Sequence, residues 1–409
     1  MDIEKQLKVL KRGVEEIIPE KAFEEKLIKA QKTGNPLRIK CGIDPTKPDV
    51  HIGHLVPYRK MRQFQDLGHV GIVIIGDYTA SIGDPTGRLE ERPHLTPENA
   101  RKNAEKYLEQ LFKVLDPEKT EIHYNGEWFS KFSFEQVLNL AGKVTFAQIM
   151  AHETFRKRYE GGEPLSMHEL MYPLLQGYDS VAIKADIELG ATEQKFNILM
   201  GRELQRVWGQ EPQVALLFPI LIGIDGVNKM SKSLNNYIGV TDKPDDVFGR
   251  VMSIPDRLIK SYWEVGTSVD QKKLDEVLVS LASKDINPRD IKLDLAQAVV
   301  SELNSSEEGV KAKENFIRTF SERKAPAEDL IKEVYFCDGE YWIVKFIVEA
   351  GCAKSNGEAR RLISHGAFSI DDNKITDVDK KINVPTDTDG KLIKIGKKNF
   401  IRVASKKRL

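Results

Sequence analysis

The chain has 409 residues, with 62 Lys plus Arg balancing 62 Asp plus Glu, so its formal charge is zero. Its 40% hydrophobic and 30% charged residues exclude wholesale disorder and suffice for two or three domains. No apolar run approaches the roughly 20 residues of a membrane helix, and three scattered cysteines exclude a disulfide framework or a four-ligand zinc site.

The N-terminus mixes acids with bases and lacks the apolar core of a signal peptide, so the expectation is a cytoplasmic protein with no membrane partner. Ile3, Leu7, Leu10, Val14 and Ile17 have helical spacing and predict an opening amphipathic helix. Apolar runs of strand length follow at 37–43, 71–76, 121–124 and 214–217, with helical stretches such as 55–67 and 97–115 between them. Alternating strands and helices predict an α/β fold whose mostly parallel sheet is covered on both faces. Such a sheet binds ligands at the carboxyl ends of its strands, beside the topological switch point.

From about 240 the pattern is helical, with Leu274, Leu278 and Leu281 on one stripe and Leu295, Val299 and Leu303 on another. The polar, proline-containing run 321–328 reads as a linker. A small α+β module then begins near 339 and ends in alternating strands at 391–395 and 400–403. The expected organisation is 1–238, with an insertion at about 100–170, then 239–325, a linker at 326–338, and 339–409. Charge follows these divisions: 339–409 holds 15 Lys and Arg against nine Asp and Glu, leaving an acidic body. A basic tail on an acidic body suggests a local polyanion contact.

Two loops carry chemistry. After the first strand, Cys41-Gly-Ile-Asp-Pro-Thr-Lys-Pro-Asp-Val-His-Ile-Gly-His54 has the strand, turn and helix layout of an anion site, whose free N–H groups face a phosphate. His51 and His54 lie three apart and can project from one side of the first turn, while Gly53 leaves room for a flat base. The second loop, Asn228-Lys-Met-Ser-Lys-Ser233, offers Lys229 and Lys232 to neutralise charge on a leaving pyrophosphate. Either loop alone also fits ordinary surface; the two in this order, each after a strand, are specific. A third segment places Tyr172, Gln176 and Asp179 on one helical face within apolar surroundings, although Pro173 favours a kink or a helix start there.

His-Ile-Gly-His at 51–54 and Lys-Met-Ser-Lys-Ser at 229–233 resemble the signatures of class I aminoacyl-tRNA synthetases, and Tyr172, Gln176 and Asp179 resemble the tyrosyl branch in its bacterial form. The resemblance covers nearly the whole chain. It implies a Rossmann-like catalytic domain, a helical domain near the anticodon, and an S4-like RNA-binding domain. It also implies ATP with Mg²⁺ but no protein metal site, L-tyrosine and tRNA(Tyr) as partners, and a homodimer, whose interface Phe146, Ile149, Met150 and Phe155 are apolar enough to suit, as they equally suit a core. By the same resemblance His51, His54, Lys229 and Lys232 are catalytic. Asp44, Thr46, Gly53, Glu193, Met230, Ser231 and Ser233 join them around ATP. Tyr172, Gln176 and Asp84 would hold the substrate ammonium, Asp179 the phenol hydroxyl, Gln194 would flank the amino acid, and Asn125 and Trp128 would lie under the phenol.

Three positions depart from that pattern: Lys40 stands where the family often has tyrosine, Glu193 replaces an aspartate, and the lysine loop takes one of two family forms. In the tail, Ser355 and Glu358 form an expected capping box ahead of Arg360 and Arg361. Lys354, Ser355, Arg360 and Arg361 are the RNA-binding candidates, with Lys391, Lys394, Lys397, Lys398 and Arg402 on the strands beyond. The rivals are a tryptophanyl enzyme or a small nucleotidyltransferase, and an RNA-binding scaffold without catalysis.

Overall fold

The computed structural model describes residues 2–46, 48–84, 96–283, 286–321, 331–337, 339–370, 373–384, 391–395 and 399–405. Residues 85–87 of the turn after Asp84, residues 326–330 and 338 of the expected linker, and Lys397 and Lys398 fall outside these. The chain divides into two compact units, Met1–Gly309 and Val310–Leu409.

The first unit is built on six strands: β1 Glu16–Ile18, β2 Arg38–Ile43, β3 Val70–Ile75, β4 Thr120–Tyr124, β5 Ile187–Ala191 and β6 Val214–Phe218. Their order across the sheet is β1-β6-β5-β2-β3-β4. β1 is an antiparallel edge on β6, and the other pairs are parallel. β3 and β6 are covered on both faces, which is why they read as unbroken apolar runs rather than alternating ones. The chain runs outward from β2 to β4 and then returns to lay β5 on the other side of β2, so the switch point lies between β2 and β5.

Two elements differ from the sequence expectation. The opening helix is Ile3–Lys11 and stops short of Val14 and Ile17. Gly13 turns at φ +64°, a conformation side chains resist, and the Arg12 guanidinium is held by the carbonyls of Trp263 and Glu264. Ile17 therefore enters β1. Strand β5 carries no apolar run because Glu188 interrupts it at the second position, yet Glu188 is buried.

The helical stretch beyond 240 is present as Pro244–Met252, Ile259–Val265, Gln271–Ala282 and Pro288–Leu303, with Leu295, Val299 and Leu303 fully buried. In Gln271–Ala282 the buried stripe is Leu274 and Val277, while Leu278 and Leu281 are half-buried.

The second unit packs helices Ile343–Glu349 and Asn356–Ser364 against a five-stranded sheet and a two-stranded one. Its core centres on Phe346, Ile347, Ile363, Phe368 and Ile393. Lys332–Phe336, ahead of the expected start at 339, pairs in parallel with Asn399–Ser405. Alternation holds in Lys391–Ile395, where Ile393 and Ile395 face the core on either side of Lys394.

Candidate active site and tRNA-binding face

A cleft of about 670 Å³ opens at the carboxyl ends of β2 and β5 and is lined by every ATP and tyrosine candidate named above except Trp128. Residues more than a hundred positions apart meet there because one short pairing ties the histidine loop to the segment just past the lysine loop, and a second closes the lysine loop on itself. Ile52 N–H donates to the Ile238 carbonyl and Val240 N–H to that of Val50, bracketing His51 opposite Gly239. On the other flank Met230 N–H donates to Leu221 and Gly223 N–H to Asn228.

The two histidine rings stack at 3.5 Å and 22°. Burial, then the charges of His54 and Lys232, lowers the His51 pKa to about 2. Burial followed by Lys232 and Lys229 lowers that of His54 to about 4. Both rings are therefore neutral at physiological pH and act as hydrogen-bonding groups rather than cations. A Cβ on Gly53 would lie 3.1 Å from His51 Nδ1, so glycine keeps the space over that ring open. Lys229 pairs with Glu193 at 3.2 Å, and Lys232 pairs with Asp49 at 2.7 Å. These are exchangeable contacts: both lysines line the cleft, and a bound polyphosphate competes for them.

The lysine loop is held by a residue that sequence reasoning missed. Asn236, buried, accepts from Ser231 N–H at 2.7 Å and donates to the Lys229 carbonyl at 3.1 Å and to Asp225 at 2.9 Å. Asp225 in turn accepts from the N–H groups of Val227 and Asn228. The side-chain hydrogen bonds to Asn228 and the backbone bond to Val227 hold its carboxyl down at about 2. A side chain on Gly223 would collide with Asn236, so glycine is required there. An Asp-Gly turn followed by Asn five positions beyond Ser231 was the available signal.

The opposite half of the cleft is the face of helix Met167–Ile183. Ser166 and Glu169 cap it reciprocally, so the helix starts at Met167 and runs through Pro173 instead of starting there. Tyr172 donates to Asp44 Oδ2 at 2.9 Å, and Thr79 donates to Asp44 Oδ1 at 2.8 Å. Asp44, expected beside ATP, is thus tied to Tyr172, one of the tyrosine candidates. Gln194 Nε2 donates to Asp84 at 2.5 Å.

Asp179, only 4% exposed, accepts from Trp128 Nε1 at 3.0 Å and Asn125 Nδ2 at 3.4 Å. Burial pushes its carboxyl up to about 7, against the Lys40 ammonium and these two donors, which favour the ionised form. Lys40 is turned to the helix, donating to the Gln176 carbonyl at 3.0 Å and Ser180 Oγ at 2.7 Å.

In the second unit, Ser355 Oγ caps the N–H of Glu358 as expected, but Glu358 returns to Lys354 N–H instead of completing a capping box. Lys354, Ser355, Arg360 and Arg361 are all exposed, and the Arg360 guanidinium lies 5.1 Å from the Trp342 ring. Arg360 and Arg361 lie on helix Asn356–Ser364, and Lys354 and Ser355 are the two residues just before it.

A switch-point cleft that joins a neutral histidine pair to a two-lysine loop, beside a pocket with a buried carboxylate, defines a nucleotide-activating ligase of class I type. The chain belongs to the tRNA synthetases class I (W and Y), with residues 31–321 matching that family. Residues 327–403 match the tyrosine–tRNA ligase SYY-like C-terminal domain. It is 46% identical over 402 residues to the tyrosine–tRNA ligase of Moorella thermoacetica, covering 98% of this chain and 96% of that one. Identity to the tyrosine–tRNA ligase of Carboxydothermus hydrogenoformans is 47% over 412 residues and 99% of each chain. The crystal structure of tyrosyl-tRNA synthetase from Archaeoglobus fulgidus with L-tyrosine has the same fold, at TM-score 0.60 and 22% identity, covering 76% of this chain and all of that one. The chain is an enzyme, an aminoacyl-tRNA ligase.

Proposed function

We propose that the chain is a tyrosine–tRNA ligase whose cleft holds ATP over the histidine pair and tyrosine against helix Met167–Ile183. The observation that carries this reading is the buried Asp179 carboxylate, oriented by Trp128 and Asn125, in the same cleft as the joined signature loops. The tyrosine carboxylate attacks the α-phosphorus of ATP, forming tyrosyl-adenylate and releasing pyrophosphate. A hydroxyl at the 3′ end of tRNA(Tyr) then takes the tyrosyl group and releases AMP. No side chain becomes a covalent nucleophile; the protein supplies position and charge.

Lys229 and Lys232 leave Glu193 and Asp49 for the phosphates and neutralise the departing pyrophosphate. Mg²⁺ brought with ATP would neutralise phosphate charge alongside Lys229 and Lys232. Asp179 accepts the phenol hydroxyl. Phenylalanine would leave that buried carboxylate without its partner, and this is the basis for rejecting it; tyrosyl-tRNA synthetase is itself the standard example of such discrimination. Tyr172, Gln176 and Asp84 take the ammonium.

Catalysis belongs to the first unit and the tRNA grip to the second, where Lys354, Ser355, Arg360 and Arg361 meet backbone phosphates. Among the described residues no helix is long and apolar enough to cross a membrane, and the compartment that fits is the cytoplasm. The assembly we infer is a homodimer. Ile149 and Phe155 are buried in the subunit's own core, which removes them from the interface candidates, and Met150 packs against the same core. Phe134, Leu138, Phe146, Tyr159 and Met167 stand exposed instead, Met167 to 78%. ATP–pyrophosphate exchange run against each of the twenty amino acids tests the assignment: tyrosine alone should support exchange, and faster exchange with tryptophan would overturn it.

A further inference from the structure

Lys40 and Glu188 are register partners on the adjacent parallel strands β2 and β5, at the switch point itself. Their charged ends meet at 2.9 Å with the side chains 0% and 2% exposed. A buried ion pair is weak support for stability, because desolvation offsets most of its attraction. Its use is therefore to be sought in what it touches.

The ammonium has three donors and three acceptors: Glu188, the Gln176 carbonyl at 3.0 Å and Ser180 Oγ at 2.7 Å. The carboxylate accepts from Ser180 Oγ at 3.0 Å, from Gln213 Nε2, and from Gln176 Nε2 at 3.5 Å. The pair thus grips helix Met167–Ile183 on both sides of Asp179. It also turns the amide nitrogen of Gln176 toward Glu188, which leaves the amide oxygen as the acceptor for the cleft that Gln176 lines.

We propose that Lys40 and Glu188 are positioning residues for tyrosine recognition, fixing the turn 176–180 so that Asp179 meets the phenol hydroxyl and Gln176 meets the ammonium through its oxygen. This rests on the tyrosine site proposed above. Position 40, where the family often places a tyrosine at the phenol, thereby acts through the helix rather than on the substrate. The Lys40 charge also favours the ionised form of Asp179 against its burial.

The test is the full-length double variant Lys40→Met/Glu188→Gln, which removes both charges together and so avoids stranding one. Thermal unfolding is measured beside pyrophosphate exchange with tyrosine and phenylalanine. The expected result is a melting temperature near the parent's, a tyrosine KM raised about 10-fold or more, an unchanged ATP KM, and a tyrosine-to-phenylalanine ratio lowered about 10-fold. Parental tyrosine KM and parental ratio in the folded variant would overturn the proposal.

Should the double variant fail to fold, Ser180→Ala loosens the same grip with the pair intact. A rise in tyrosine KM supports the proposal, and no rise overturns it. Asp179→Asn is the control for the underlying reading. If it leaves the ratio intact, the tyrosine site itself is wrong. If it collapses the ratio while the double variant does not, only the positioning role is lost.

Discussion

Tyr172 donates its hydroxyl proton to Asp44 across the cleft at 2.9 Å, which joins the helix Met167–Ile183 to the loop leaving β2. With its proton committed, the phenol oxygen is left as an acceptor, the role an ammonium group requires. The same carboxylate is held from its other side by Thr79. On the proposed assignment, ammonium recognition depends on a three-residue network more than on Tyr172 alone.

Tyr172→Phe should raise the tyrosine KM in pyrophosphate exchange about 10- to 100-fold, the scale of a lost hydrogen bond to a charged group, with the ATP KM little changed. Equal rises in both constants would contradict the assignment of this face to the amino acid.

Asp179 links stability to pH. Its folded-state pKa of about 7 lies above the ordinary 3.8, so the folded protein binds the proton more tightly than the unfolded chain. The associated stability is complete below about pH 4 and is lost as pH rises through about 7. Asp179→Asn should consequently gain melting temperature relative to the parent as pH rises from about 4 to about 7. A difference that stays flat with pH would show that the carboxyl is not perturbed by burial.

Lys232 sits 2.7 Å from Asp49 and its charge acts on both stacked histidines, and the proposed mechanism places the leaving pyrophosphate beside it. Lys232→Ala should slow tyrosyl-adenylate formation about 100-fold or more while leaving tyrosine affinity near parental, as single-turnover measurements would show. An unaltered rate would refute the role of the lysine loop.

Asn236 supports that loop without lining the cleft. Asn236→Ala removes the acceptor for Ser231 N–H and the donor to the Lys229 carbonyl. Adenylate formation should fall about 10- to 100-fold with tyrosine KM unchanged, since misplacement by about 1 Å can cost that much. A tyrosine KM that rises as far as the rate falls would show that Asn236 serves the amino-acid side as well.

A chain ended at Ser321 lacks the second unit's basic helix and should keep pyrophosphate exchange while charging tRNA poorly. Its remaining charging should also depend less steeply on salt, because fewer phosphates are contacted. Loss of exchange would show that catalysis needs residues beyond Ser321.

The sequence by itself determined the alternation of strands and helices, the two signature loops and the polar face at Tyr172, Gln176 and Asp179, because each is written in local spacing. It could not reveal β5, since a charged Glu188 breaks the apolar pattern that marks a strand. Nor could it show that the opening helix ends at Lys11, which follows from the distant carbonyls that hold Arg12. Whether Lys40 faced the substrate or turned away was likewise open. Only the tertiary structure decided these, by setting β2 beside β5. Buried charge is tolerated where an opposite charge lies next to it in space, and adjacency across a sheet leaves no trace in sequence separation.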